Sequence, residues 1–443
     1  MLTKEQILER NRKIRENGKA TRLKRANQTC KSFIFKIDYN NCNKKQQEAI
    51  KMMFVEAKWI YNYLLANDMI YNCDYKDLNF VIHKDKDRND IKSPINHIKS
   101  SIKQELIHQI QIQIKTLSIL KQKGHTVGKL KFKSEFNSIK LKQYGITHSI
   151  KGNKIKIQGI KDPIRLLGLK QLDKYTNIDF TTANLIYNGI NYFIVLTCYI
   201  DKEKNIKNNN VCGIDMGVAT SITLSNGTKY DIYIVESERL KRLQAQLSRK
   251  KKGSNNRYKT IKKIRKEYNH ITNIKNDVSN KIVSKILKEH GTIVLQDEQI
   301  SKWRQDGLSG TKIQHSVLGR IKSKLMQSDN VIILDKWFQT TKYCNKCGNR
   351  VELKLSDRIF ECPNCKTKED RDIHAAKNMI WFYFKYKHRL CAANAAHKLD
   401  EPGTDCTSKK LVDRKICYNK FKSNFEGKQE SAKLQPCGFI TKL

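Results

Sequence analysis

Three acidic motifs in the second half of the chain have residue types and positions from which proteins build metal-ion sites. Asp215 ends the apolar run Val-Cys-Gly-Ile-Asp, and Asp297 and Glu298 follow the apolar run Ile-Val-Leu-Gln. Asp372 lies in Asp-Arg-Asp-Ile-His-Ala-Ala-Lys-Asn, residues 370–378, where a helical pattern starts. Strand ends and a helix start that meet at one sheet edge gather carboxylates around divalent cations. Asp215, Asp372 and one of the two adjacent acids are therefore candidate metal ligands. The alternative is structural, since a lone Asp at a strand end is ordinarily a turn former or a cap.

Four cysteines form two pairs with the spacing of zinc ligands. Cys344 and Cys347 make one pair, Cys362 and Cys365 make the other, and fourteen residues separate the pairs. Each Cys-x-x-Cys turn aims two sulfur atoms at one point, and Gly348 suits such a turn. Free thiols or disulfides are the alternative. Two well-spaced pairs in a reducing compartment are instead typical of a four-thiolate structural zinc site.

The charge of the chain indicates a polyanionic partner. The 443 residues include 87 Lys and Arg against 43 Asp and Glu, a formal net charge of +44 at pH 7. So large an excess, spread over most of the chain, favours nucleic acid, whose counterions are released on binding. No apolar run approaches the roughly 20 residues that span a bilayer, and the polar N-terminus does not resemble a secretory signal. We therefore expect no membrane partner and a cytoplasmic location.

The first half of the chain predicts helices set among short strands. A capping box at Thr3 and Gln6 opens a basic helix over residues 3–25, which we interpret as an RNA-contacting arm rather than a merely solvated face. An amphipathic helix is predicted at 44–67 and another at about 95–120. Antiparallel strands with a helical insertion predict a small barrel or sandwich carrying a helical lobe. The strands are predicted at 31–39, 129–132, 138–141, 154–160, 178–187 and 192–200.

The second half, after a linker at about 202–210, predicts an α/β fold with a mixed sheet. Its strands are expected at 211–215, 217–224, 231–235, 292–296 and 331–335. Helices are expected over 236–289, with an interruption at 253–256, and over 313–326. Long helices with so many lysines and arginines are poorly suited to packing in a core and well suited to binding a phosphate backbone.

Together these motifs resemble the split RuvC nuclease domain of TnpB, an RNA-guided DNA endonuclease encoded by bacterial insertion sequences and related to miniature type V CRISPR effectors. The resemblance rests on Gly-Ile-Asp-Met-Gly, Gln-Asp-Glu-x-Ile-x-x-Trp, the two cysteine pairs and Asp-Arg-Asp-x-His-Ala-Ala-x-Asn. Specific motifs carry the resemblance over about residues 211–380. The preceding half resembles the family only in the order of its predicted elements. His374 stands where the family has Asn, which leaves the metal site in place but alters positioning around it.

The resemblance implies an α+β multidomain protein. An N-terminal β-barrel, the wedge, would carry a helical recognition insertion, and a RuvC/RNase H-like α/β nuclease domain with an inserted zinc ribbon would follow. The implied domains are a basic helical arm at 1–29, the wedge barrel at 30–203 with its insertion at about 44–125, the nuclease domain at 204–386 with the zinc ribbon at about 341–368, and a flexible C-terminal tail at 387–443.

The resemblance also implies partners, cofactors and site residues. The partners would be a guide RNA and double-stranded target DNA next to a short adjacent motif, in a prokaryotic cytosol or nucleoid, with monomer and homodimer both open. Two Mg²⁺ would be held by Asp215, Glu298 and Asp372, and one structural Zn²⁺ by the four cysteines. Such ions, on hard oxygen ligands, supply the water activation and charge stabilisation that phosphodiester hydrolysis needs.

Glu298 is preferred to Asp297 because the pattern that includes Trp303 resembles a TnpB branch in which the last acid of the triplet is the ligand. On a strand only one of two neighbouring acids can face Asp215. In the alternative alignment, Gln296 takes the place of the family acid, and the chain has no catalytic glutamate.

Three other functional classes fit part of the sequence. A miniature type V CRISPR effector would share the chemistry and differ in its guide, and a neighbouring CRISPR array would favour it. A non-cleaving RNA-guided DNA-binding regulator would be expected to lose triad acids, which are present here. A guide-free transposase fits the charge, but fits the basic helical insertion between the acidic motifs less well.

Overall fold

The computed structural model describes residues 3–85, 87, 89–202, 209–305, 310–354, 356–386 and 415–416. The chain forms two compact units, residues 1–204 and 205–443, whose boundary falls within the predicted linker. In the described ranges, no helix combines the length and the apolar character needed to cross a membrane.

The first unit combines antiparallel strands with three long helices. The Thr3 hydroxyl accepts a hydrogen bond from the Gln6 backbone and the Gln6 side chain accepts one from the Thr3 N–H, which confirms the predicted capping box. In chain order the elements are α1 (Lys4–Ala26), β1 (Gln28–Ile37), α2 (Lys44–Ala66), β2 (Phe80–Lys84), β3 (Asp90–Pro94), α3 (Ser100–Gln122), β4 (Ser138–Leu141), β5 (His148–Lys151), β6 (Lys154–Ile157), β7 (Ile164–Leu167), β8 (Ile178–Tyr187) and β9 (Tyr192–Asp201).

Seven of these strands form one antiparallel sheet in the order β4-β8-β9-β1-β7-β6-β5. The sheet nearly closes on itself, because the Tyr144 N–H donates to the Thr181 carbonyl on β8 at 3.1 Å while Tyr144 also bridges to His148 at the start of β5. Its inner face packs on α2, where Ile50 and Met53 are buried in the same core as the strands. The near-barrel agrees with the predicted barrel carrying a helical lobe.

Two predictions in this unit were wrong. The second long helix begins at Ser100 rather than near residue 95. The preceding backbone is held open by the buried carboxylate of Glu56, which accepts hydrogen bonds from the N–H groups of Asn96, His97 and Ile98 at 2.8–3.1 Å. These hydrogen bonds fix residues 96–98 in the bend that precedes the helix.

The segment 129–132 is not a strand. The neighbouring Lys133 backbone pairs instead with the Asn62 side chain of α2, through two bonds of 2.9 Å. The hairpin formed by β2 and β3 was not predicted, because its polar residues resemble a loop.

The second unit contains β10 (Val211–Met216), β11 (Ile222–Leu224), β12 (Lys229–Tyr230), α4 (Glu238–Ser248), α5 (Asn255–Glu289), β13 (Thr292–Gln296), α6 (Ile300–Gln305), α7 (Gly310–His315), α8 (Leu318–Leu325), β14 (Val331–Leu334), β15 (Ile359–Glu361), β16 (Lys368–Asp370), α9 (Arg371–Tyr386) and β17 (Lys415–Ile416). It is built around a sheet in the order β12-β11-β10-β13-β14-β17. Strands β10, β13, β14 and β17 run parallel, and β11 and β12 add antiparallel strands at one edge, so the sheet is mixed, as predicted.

Helices cover both faces of this sheet. Ile286 of α5 and Ile321 of α8 are fully buried against one face, in a core that includes Ile214 and Leu295. On the other face Met379 of α9 is buried with β13 and β14 residues. The acids at the strand ends therefore face either the α5 and α8 side or the α9 side.

Two expectations for the second unit differ from the structure. The third strand lies at Lys229–Tyr230 rather than 231–235, because the Ile234 N–H donates to the His315 carbonyl at 3.0 Å instead of joining the sheet. The helix predicted at 313–326 is divided into α7 and α8. The predicted tail, 387–443, lies outside the described residues except for β17, which pairs with β14.

Candidate active site and metal centre

Side chains along β10 alternate between the two faces of the sheet, and Asp215 belongs to the face covered by α9. Cys212, Ile214 and Met216 are buried in the core on the opposite, α8 side. Gly213 meets the backbone of α9. Asp215 lies two residues further along the strand and therefore points to the same face as Gly213.

Gly213 allows α9 to approach β10 at backbone contact. A Cβ atom at this position would overlap the carbonyl oxygen of Ala376 and press on the Ile380 side chain at 3.2 Å. The close approach places the first turn of α9, which carries Asp372, where its charge acts on Asp215. The glycine of the Gly-Ile-Asp motif thus positions the helix relative to the acid.

Burial and two neighbouring acids raise the pKa of Asp215 to about 7. Burial is the largest cause, followed by the negative charges of Asp372 and then Glu298, while Arg371 opposes them. The structure therefore brings the three predicted acids into electrostatic contact. Among the described residues they form no cluster as tight as that of the four cysteines. Repulsion between neighbouring carboxylates raises the pKa of a carboxyl group when no cation compensates their charges.

Asp297 and Glu298 have different surroundings. The Lys322 ammonium on α8 donates to the Asp297 carboxylate at 3.2 Å and to the Glu298 carbonyl oxygen at 2.6 Å. Leu295 lies two residues before Asp297, on the same face of the strand, and is buried on the α8 side. The Glu298 carboxylate instead acts on Asp215. Burial raises the pKa of Glu298, and Lys322 opposes this effect.

Asp370 caps α9 and leaves Asp372 as the acid of this motif that acts on β10. The Asp370 carboxylate accepts hydrogen bonds from the N–H groups of Asp372 at 3.0 Å and Ile373 at 3.1 Å, and from Lys229 at 2.8 Å. Burial alone would raise the pKa of Asp370, but these contacts lower it. Arg371 lies 3.5 Å from the Asp372 carboxylate and adds a cation to the site.

Gln296, at the end of β13, is buried and holds the loop that follows β14. Its amide nitrogen donates to the carbonyl oxygens of Asp335, Lys336 and Phe338 at 3.2, 3.1 and 2.7 Å. Its oxygen accepts from the Thr340 hydroxyl at 3.2 Å. The side-chain amide of Gln296 is therefore engaged in hydrogen bonds to the loop after β14. The sequence did not indicate this structural role.

The four predicted cysteines converge on one point. Their sulfur atoms all lie within 4.8 Å of one another, with Cys344 and Cys365 at 3.4 Å and Cys347 and Cys362 at 3.5 Å. Tetrahedral zinc, with Zn–S bonds of about 2.3 Å, requires sulfur separations of about 3.8 Å. Hydrogen bonds from Thr367 lower the pKa of Cys365 to about 6, while burial raises the pKa of Cys344 to about 12. The donor set and its spacing fit zinc.

The two Cys-x-x-Cys turns share one backbone geometry. Gly348 donates its N–H to the Cys344 carbonyl at 2.8 Å, and Lys366 donates to the Cys362 carbonyl at 2.9 Å. The φ angle is +74° at Gly348 and +56° at Lys366. Glycine adopts this left-handed region without strain, whereas a residue with a Cβ does not. The second turn is therefore strained at Lys366.

His374 joins α9 to the cysteine segment, residues 343–369. Its ring is fully buried, with Nε2 2.8 Å from the Tyr343 carbonyl oxygen and Nδ1 3.2 Å from the Glu369 carboxylate. The ring stacks on Phe360 with centroids 3.6 Å apart. Asn378 donates to the same Tyr343 carbonyl at 2.6 Å. The residue that departs from the family pattern thus joins the helix that bears the third acid to the segment that carries the cysteines.

Two segments of the chain match known protein families. Residues 195–304 match the family described as a probable transposase, OrfB_IS605, and residues 318–379 match the Cas12f1-like TNB domain. The first match contains Asp215 and Glu298, and the second contains Asp372 and the four cysteines. These matches support the resemblance to TnpB seen in the motifs.

Curated relatives support the same class. A putative RNA-guided DNA endonuclease of Streptomyces pristinaespiralis is 30% identical over 177 residues, which are 38% of this chain and 44% of that protein. The putative RNA-guided DNA endonuclease InsQ of Escherichia coli (strain K12) is 31% identical over 199 residues, which are 39% of this chain and 48% of InsQ. The chain thus spans about half the length of these relatives.

Among solved structures, a Cas12f1–sgRNA–target DNA complex is similar to this chain at 13% identity. The TM-score is 0.43, and the alignment covers 80% of this chain and 99% of that chain.

Proposed function

We propose that this protein is an RNA-guided DNA endonuclease associated with an insertion sequence, which hydrolyses target DNA next to a short adjacent motif. The observation that carries the proposal is the position of three acids at one sheet edge: Asp215 on β10, Glu298 just beyond the neighbouring parallel strand β13, and Asp372 in the first turn of α9, which packs on Gly213. Burial and the charges of Asp372 and Glu298 raise the pKa of Asp215. Three acids from distant parts of the chain that repel one another at a sheet edge are typical of a metal-dependent nuclease. The curated relatives, named as putative RNA-guided DNA endonucleases, support this function.

The donor set fits magnesium. Carboxylate oxygens are the hard ligands that Mg²⁺ prefers, and the buried Asp215 is stabilised in its ionised form only when a cation offsets its neighbours. We assign Asp215, Glu298 and Asp372 as the residues that would hold two Mg²⁺. Bound Mg²⁺ supplies an activated water and stabilises the charge that develops on the phosphate. Gly213 and the Asp370 cap set the distance and direction from which Asp372 approaches.

The four cysteines would hold one structural Zn²⁺. A bound ion would fix both Cys-x-x-Cys turns, and through Tyr343, Phe360 and His374 it would stabilise the start of α9. The cysteine segment would therefore stabilise the position of Asp372 at the start of α9 without providing a ligand for Mg²⁺.

Helices α1 and α5 supply basic surfaces suited to guide RNA and target DNA. Exposed residues of α1 include Arg10, Arg15, Lys19 and Arg22, and exposed residues of α5 include Lys259, Lys262, Lys263 and Lys266. Leu8 and Leu23 of α1 are 69% and 73% exposed, so this helix presents both charge and apolar surface to a partner. Phosphate contacts of this kind make binding strongly dependent on salt.

The test is to purify the protein, sequence the RNA that copurifies, and measure Mg²⁺-dependent cleavage of DNA matching that RNA. We expect guided cleavage by the wild type and none by Asp215→Asn. Guided binding without cleavage by the wild type would favour the non-cleaving regulator instead. RNA-free protein that still cuts one DNA sequence would exclude an RNA guide.

A further inference from the structure

An exposed tryptophan lies on the loop that follows β14. Trp337 is 56% exposed, and the ammonium of Lys336, also exposed, lies 4.5 Å from the centre of its ring. Single exposed apolar side chains are normal on protein surfaces, so the exposure of Trp337 points to a binding surface only together with the cation beside the ring and the position of the loop. The loop thus displays an aromatic face with a cation beside it.

The loop that carries Trp337 is held rigidly. The Gln296 side chain binds three of its carbonyl oxygens. The next residue, Phe338, is 4% exposed and packs on Phe382 of α9 with ring centroids 5.0 Å apart. The backbone N–H of Trp337 donates to the Asp335 carboxylate at 3.4 Å. The backbone that carries the indole is therefore held in place by Gln296 and Phe338.

This loop begins beside the acidic site. In the parallel pair of β13 and β14, Gln296 lies opposite Leu334, and the Asp297 N–H donates to the Leu334 carbonyl at 2.8 Å. The loop starts at the next residue, so the two strand ends that carry Glu298 and Trp337 are adjacent.

We propose that Trp337 is a stacking platform for one nucleobase of the DNA strand in the active site, with Lys336 beside the adjoining phosphate. The inference rests on the proposed function and adds a substrate-binding residue to it. A single-stranded nucleotide fits this surface better than an apolar protein partner, because the exposed Lys336 ammonium beside the indole can pair with a phosphate while the ring stacks on a base. Stacking does not depend on base identity, since every base has a π-face. Such a contact would position the strand without adding sequence preference.

The experiment is a mutant cycle between Trp337 and single bases of the substrate. After the cut site has been mapped, single-turnover cleavage is measured on target DNAs that carry one abasic nucleotide at each position around it. With the wild type we expect one position where loss of the base slows cleavage by about 5- to 100-fold. Trp337→Ala should be slowed to a similar extent on intact DNA and show no further loss at that position. Trp337→Phe should retain most activity.

A matched control is Phe384→Ala, which removes an aromatic side chain that is 50% exposed on the same unit. Phe384 lies twelve residues beyond Asp372 on α9, about 18 Å along the helix, and its loss should leave cleavage and the abasic profile unchanged. The proposal is overturned if Trp337→Ala cleaves like the wild type, or if it is slow yet as sensitive as the wild type at every abasic position.

A second measurement does not depend on cleavage. Single-stranded DNA containing 5-bromouracil is irradiated with the wild-type protein in Ca²⁺, and cross-linked peptides are identified by mass spectrometry. A cross-link at Trp337 is expected even if the protein does not cut DNA, so failure of the proposed function and failure of this inference can be told apart. Cross-links confined to Trp59, Trp303 or Trp381 would refute the platform.

Discussion

Asp297 and Glu298 are consecutive in the chain, yet they act on opposite faces of the sheet. Asp297 pairs with Lys322 on the α8 side, whereas the charge of Glu298 reaches Asp215 on the α9 side. Side chains alternate along a strand, so a shift of one residue in the register of β13 would exchange the two acids. The pairing of Gln296 with Leu334 therefore determines which acid joins the site.

Glu298→Gln should abolish Mg²⁺-dependent cleavage while guided DNA binding persists. Gln keeps the size of the side chain but removes the charge that a metal ligand needs, and we expect a loss on the order of 100-fold or more. Asp297→Asn is the matched control and should retain measurable activity, because Asp297 is bound to Lys322. Cleavage rate and DNA affinity are measured on the same preparations. A dead Asp297→Asn beside an active Glu298→Gln would show that the register is wrong.

Gly213→Ala should destabilise the second unit and reduce cleavage. The added methyl group would overlap the Ala376 carbonyl, so α9 must move away from β10, at a cost of about 1–3 kcal/mol. The displacement also moves Asp372 away from Asp215. Gly319→Ala in α8 is the control, because nothing lies within 4 Å of its added Cβ, and alanine in a helix is favoured over glycine by about 0.5–1 kcal/mol. Thermal unfolding compares the two variants, and equal melting temperatures would contradict the close-approach argument.

The sequence predicted the parts of the site that depend on local pattern. Apolar runs ending in Asp215 and in the Asp297–Glu298 pair indicated strands, and the cysteine spacing indicated ligands that do converge. It also predicted the mixed sheet, and it predicted a linker at about 202–210 from the Asn and Lys residues of that stretch, where the boundary between the two units falls.

Other features depend on contacts between residues far apart in the chain, which no local pattern encodes. Glu56 holds the backbone 40 residues later, and Gln296 binds a loop about 40 residues away. The positive φ of Lys366 could not be predicted from the sequence either, because a lysine does not indicate a left-handed backbone. His374 departs from the family pattern, and its packing role becomes visible only when Phe360 and Tyr343 are placed around it.

Lys366→Gly should preserve or increase stability by up to about 1 kcal/mol, because glycine removes the strain of the left-handed backbone. Gly348→Ala should do the opposite at the equivalent position of the first turn, where φ is +74°. The free energy of unfolding and the zinc content of both variants are measured, with Cys362→Ser as the variant expected to lose the ion. A loss of stability in Lys366→Gly would show that the lysine side chain contributes more than its backbone strain costs.

The raised pKa of Asp215 predicts that the protein without Mg²⁺ loses stability as pH rises. In the unfolded chain this carboxyl titrates near pH 4, and in the folded protein near 7. The folded state therefore binds the proton more tightly, and the stabilising effect present below pH 4 is lost as pH rises to about 7, by at most about 4 kcal/mol. Asp215→Asn cannot lose a proton, so its melting temperature should exceed that of the wild type by more at pH 8 than at pH 5.5. Unfolding is measured in Mg²⁺-free buffer without a chelator, which would also remove zinc. Added Mg²⁺ should narrow the difference at pH 8, because the cation replaces the proton. A constant difference between the two proteins at both pH values would contradict the predicted ionisation.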